Sequence, residues 1–70
     1  MVYREVARKL RILGCEELAR RGSGSHRKWI NPASAEGTVV LDWGNRDLKI
    51  GTLRAAVRQL GLDWEDFKRA

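Results

Sequence analysis

The stretch "HRKWINPASAEGTVVLDW", residues 26–43, decides how this chain is read. "HRKWIN" has strand character and is stopped by "NPASAEG", in which Asn-Pro is a turn signal among small and polar residues. "TVVLDW" then resumes with β-branched residues and is the clearest strand of the chain. Two short strands around a turn predict an antiparallel pair. Side chains alternate across a strand, so His26, Lys28 and Ile30 share one face, and Arg27, Trp29 and Asn31 share the other. Trp29 is the large side chain that a covered face claims, which leaves His26 and Lys28 on the open face. Val39 and Leu41 are expected beside Trp29, packed against Val6, Leu10, Leu53 and Val57.

Working outward from that pair, "RGSGS" at residues 21–25 reads as a glycine-serine turn, and Glu17 to Arg21 as a short edge strand. Before it, Val2, Val6, Leu10 and Leu13 recur at helical spacing. Tyr3 and Ala7 widen that stripe, Arg4, Arg8 and Arg11 lie opposite, and Gly14 sits where a helix ends. After the strands, "TLRAAVRQL" repeats the pattern with Leu53, Ala56, Val57 and Leu60 on one face. Thr52 is the expected N-cap and Gly61 the stop. "DWEDFKRA" adds a last helical turn with Asp63 as cap and Trp64 and Phe67 facing inward. The order α-β-β-β-α predicts a two-layer α+β domain over residues 1–70, with the helices on one face of a three-stranded antiparallel sheet.

Seventy residues allow one small core and leave little room for an enclosed active site, so any chemistry is expected on an open face. The single cysteine, Cys15, permits no intrachain disulfide, and with one histidine it cannot build a tetrahedral metal site. No apolar run approaches a membrane span. The expectation is a cytoplasmic protein with a reduced, packed Cys15 and no membrane partner. Fourteen Lys and Arg against nine Asp and Glu give a net charge of +5. No acid occurs between Leu18 and Ala35, whereas Arg20, Arg21, Arg27 and Lys28 all fall there. Such a concentrated basic stretch suits a polyanion such as RNA or DNA, although a solvated basic face with no ligand has the same composition.

His26 is the only histidine, the side-chain type suited to proton transfer near neutral pH. It follows Gly24 and Ser25, and glycines let a phosphate approach the backbone closely. Taken alone, a lone histidine in a small domain is more often a surface or packing residue than a catalytic one. "GSHRKWINP" at residues 24–32, followed by "DLKIGTLRAAVRQLGL" at residues 47–62, closely resembles the HicA/YcfA family of small toxins. The resemblance runs over nearly the whole chain in motif order, spacing and length. This chain departs from it in two places. Val40-Leu41-Asp42-Trp43 stands where many members carry Val-Pro, and the "RRGSGSH" lead-in is longer than usual.

The resemblance implies a double-stranded-RNA-binding-like fold and an mRNA interferase, the RNA-cleaving toxin of a type II toxin–antitoxin pair. It also implies a HicB-like antitoxin as partner and a catalytic histidine that maps onto His26. Cleavage without a metal needs a base for the ribose 2′-OH, an acid for the leaving 5′-oxygen, and positive charge for the phosphorane-like state. His26 is the candidate base, with Lys28 or water as acid. Arg20, Arg21, Gly24, Ser25, Arg27, Lys28 and Lys49 are the candidate RNA-binding residues. No cofactor and no metal are expected, since Asp42 and Asp47 are few and far along the chain from His26. A noncatalytic RNA- or DNA-binding module would use the same basic surface, and a domain that only docks an acidic antitoxin is a third reading.

Overall fold

A hairpin of β2 (His26–Asn31) and β3 (Glu36–Leu41) forms the centre of the computed structural model, which describes residues 1–19 and 24–70. The antiparallel register pairs His26 with Leu41, Lys28 with Val39 and Trp29 with Thr38. On the other side of β2 lies β1 (Glu16–Glu17), with Glu17 opposite Trp29. The sheet order is therefore β1-β2-β3. The bond from Leu18 N to Lys28 O (2.8 Å) continues the β1–β2 pairing one residue beyond the strand. Of the expected edge strand, Arg20 and Arg21 lie outside the described residues.

Three helices complete the expected order: α1 (Tyr3–Ile12), α2 (Ile50–Gln59) and α3 (Trp64–Arg69). The apolar stripe of α1 buries Tyr3, Val6, Ala7 and Leu10, and Gly14 takes φ +92° just past the helix end. Asp63 caps α3 by accepting a bond from Asp66 N at 3.1 Å. In α2 the cap is Lys49, not Thr52. Burial of Leu48 pins the chain there, and the first helical bond runs from Leu53 N to Lys49 O (3.1 Å). Thr52 thus sits inside the first turn.

α1 and α2 meet the same face of the sheet, and α3 packs against both helices. Trp29, fully buried, donates its indole N–H to Tyr3 Oη of α1 at 3.0 Å. Asn31 Nδ2 donates to Leu60 O at the end of α2 (2.7 Å), which satisfies a helix-terminal carbonyl. Thr38 Oγ1 donates to Gln59 Oε1. Val6, Leu10, Leu53 and Val57 join Trp29 in the core, as expected. The expectation for β3 is corrected. Val40 is 1% exposed and Val39 is 47% exposed, because paired residues of an antiparallel ladder share a face. Trp29 brings Thr38 to the helices, and Arg27 brings Val40. Val39 follows Lys28 to the other side, whereas Leu41, at the end of the strand, is partly buried and packs against the core, as expected.

Two buried polar details fix the helix layer. Lys9 Nζ is buried yet donates to Lys68 O and Ala70 O, both at 2.8 Å, capping the end of α3 with a cation. Burial pushes the Cys15 thiol up from its ordinary range, in keeping with a packing role. Among the described residues no helix is long and apolar enough to cross a membrane.

Candidate nucleic-acid interface

His26 opens β2 on the face that no helix covers. It is exposed, and so are Gly24, Ser25 and Lys28. The ladder carries Leu18, Ile30 and Val39 to the same face, so His26 and Lys28 project from a partly apolar sheet surface. Leu18 and Val39 remain 42% and 47% exposed there. A Cβ built on Gly24 would meet nothing within 4 Å. Asp42 N donates to Ser25 O (2.8 Å), which holds this end of the hairpin closed beyond the last strand residue.

Arg27 takes the opposite side. Its Nη1 donates to Glu17 Oε2 (2.9 Å) and its Nη2 to Asp42 Oδ2 (2.8 Å). The guanidinium also lies 5.4 Å from the centroid of the Tyr3 ring. Tyr3 Oη donates to Glu17 Oε1 (3.2 Å), so Trp29, Tyr3, Glu17, Arg27 and Asp42 form one chain of contacts across α1, β1, β2 and the residue just past β3. The bond to Glu17 strengthens Arg27's hold on its proton. Burial pushes the Tyr3 phenol up, partly offset by the N–H it accepts from Trp29. The alternation that set Trp29 inward already put Arg27 on the same side. There it meets and clamps the carboxylates of Glu17 and Asp42.

Of the remaining candidate residues, Lys28 lies on the face of His26 by its register. Lys28 enters none of the ion pairs among the described residues. Lys49 is exposed at the start of α2, at the far end of the segment that leaves β3. Arg20 and Arg21 lie outside the described residues. The sequence reading passed over Arg46, exposed in the turn after Trp43. The signal for it was its position between the His26-bearing hairpin and Lys49. Among the described residues no group of three His, Cys, Asp or Glu side chains could hold a metal ion.

An exposed imidazole beside an exposed ammonium is suited to moving a proton near a phosphate. The clamp keeps that end of the hairpin in place from the other side. The family model described as "HicA toxin of bacterial toxin-antitoxin" matches residues 3–62, a span from α1 to just past α2. No curated protein matches the chain.

Proposed function

The chain belongs to the HicA family of toxins from bacterial toxin–antitoxin systems, and from that membership and the open-face geometry we propose that it is an mRNA interferase acting through His26. The observation that carries this is the exposed His26 at the start of β2, with Lys28 two residues along on the same face. His26 takes the proton of a ribose 2′-OH, and the 2′-oxygen attacks the adjacent phosphorus. The bond to the 5′-oxygen breaks, that oxygen is protonated by Lys28 or water, and a 2′,3′-cyclic phosphate remains. Lys28 and the backbone around Gly24 and Ser25 offset the charge that builds on the phosphate oxygens. An open face suits a polymeric substrate, because a chain can lie across it without threading a pocket.

The family implies an antitoxin partner. A HicB-like protein seated over His26 and the half-apolar sheet face would exclude RNA directly and bury Leu18 and Val39 at the same time. The experiment that tests the enzymatic reading is His26→Ala, assayed on EDTA-treated single-stranded RNA. Cleavage should fall by about 10²- to 10⁴-fold, the contribution of one general acid–base group. The fold should hold, since an exposed substitution shifts stability by no more than about 0.5 kcal/mol. RNA affinity should barely move, because the cations remain. Cleavage by the variant at the wild-type rate would refute His26 as the catalytic group.

A further inference from the structure

We propose that Trp43 is a stacking platform for a nucleobase of single-stranded RNA, placed beside the phosphate that His26 addresses. The inference rests on the RNA-cleaving reading above. Of the three tryptophans, two have structural duties: Trp29 is fully buried, and Trp64 stacks on Phe67 at 5.4 Å with Arg54 over its ring. Trp43 is 39% exposed and enters none of the aromatic or cation–π contacts among the described residues. It is the one exposed aromatic side chain among them.

Its place in the fold is what gives the ring a use. Leu41 pairs with His26, and the bond from Asp42 N to Ser25 O carries that pairing one step on. Trp43 follows directly, two residues beyond the strand partner of His26. Two residues span at most about 7 Å and paired Cα atoms lie about 5 Å apart, so its Cα is within about 12 Å of that of His26. The backbone there is held: Gly44 N donates to Asp42 Oδ1 (2.9 Å), Gly44 takes φ +62°, and Arg46 N donates to Trp43 O (3.2 Å).

The surroundings favour RNA over an apolar protein partner. Arg46 and Lys49 are exposed along the same segment. Its two acids are neutralised, Asp42 by Arg27 and Asp47 by the Met1 amino group at 2.9 Å. A flat, rigid ring among cations binds a splayed base by its face while the cations hold the backbone, whatever the base.

The test uses the His26→Ala protein, so that RNA stays intact, with a short mixed-sequence single-stranded oligoribonucleotide as the probe. Adding Trp43→Ala should weaken binding about tenfold, within the range set by loss of one base–aromatic stack. Trp43→Phe should keep affinity to within about threefold, since a smaller ring still stacks. Neither variant should change the salt dependence, because no phosphate contact is lost. An oligonucleotide abasic throughout should bind the parent and Trp43→Ala alike. If the parent binds the oligonucleotide and Trp43→Ala binds it equally, the stacking assignment falls and the RNA reading stands. If the parent does not bind it at all, both fall. Loss of antitoxin affinity in Trp43→Ala with RNA affinity intact would give the ring to a protein interface and overturn the proposal.

Discussion

Arg27 and Lys28 are adjacent cations, and substituting each by Gln removes the same unit of charge 3.8 Å apart along the chain at a trans peptide. Strand alternation sends them to opposite faces. Arg27 is held by Glu17 and Asp42, whereas Lys28 stands exposed beside His26. The two variants should therefore differ in kind. If Lys28 neutralises one RNA phosphate, Lys28→Gln should lower the slope of log affinity against log salt by about 0.7. Over a fourfold rise in salt, from about 50 to 200 mM, that slope is about a 2.6-fold difference in the affinity lost. Arg27→Gln should leave the slope at its wild-type value. It should instead lower the unfolding midpoint, since Glu17 and Asp42 would both face each other's element without a cation between them. Arg27→Lys should lower it too, because one ammonium cannot reproduce a fork that bridges two carboxylates. The assay is fluorescence anisotropy with a short single-stranded RNA in the His26→Ala background, at a temperature where circular dichroism shows every variant folded. A slope in Arg27→Gln reduced as much as in Lys28→Gln would refute the division of labour. So would an Arg27→Gln protein that melts at the wild-type temperature.

Two further predictions concern the frame that holds the site. Tyr3→Phe removes the acceptor of the fully buried Trp29 N–H and should cost about 2 kcal/mol for an orphaned buried donor. On a domain of this size that lowers the thermal midpoint by about 8–16 °C, and a shift below about 2 °C would show the donor satisfied by another route. Val40→Ala should cost about 2 kcal/mol by emptying a core position, while Val39→Ala should stay within about 0.5 kcal/mol. Urea denaturation separates the two, and the reverse order would mean that the sheet presents its other face to the helices.

Periodicity and end signals made the elements legible from the chain alone. The 3.6-residue stripe of Tyr3, Val6, Ala7 and Leu10, the glycine at position 14 and the Asp63 cap are local features, and local sterics and hydrogen bonds suffice to express them. The facing of β2 was legible for a related reason. One bulky Trp29 among polar and cationic neighbours leaves a single phase that buries it, and His26 follows outward from that phase. "TVVL" offered no such asymmetry, since both phases of its alternation are apolar.

The choice between Val39 and Val40 belonged to the register of the β2–β3 hairpin, which pairs Trp29 with Thr38. That register is a relation between two segments and is written in neither. The start of α2 had the same character. Thr52 has the right chemistry for a cap, but burial of Leu48 against distant residues fixed the helix at Ile50. Arg27 shows the limit most plainly. Charge is a property of the residue, and the chain alone told that it is cationic and inward with Trp29. Whether an inward cation meets water, phosphate or carboxylate depends on what the fold brings to it. Here the fold brought Glu17 from β1 and Asp42 from just past β3, residues ten and fifteen positions away along the chain, and an ion taken partly out of water destabilises the fold unless it is paired.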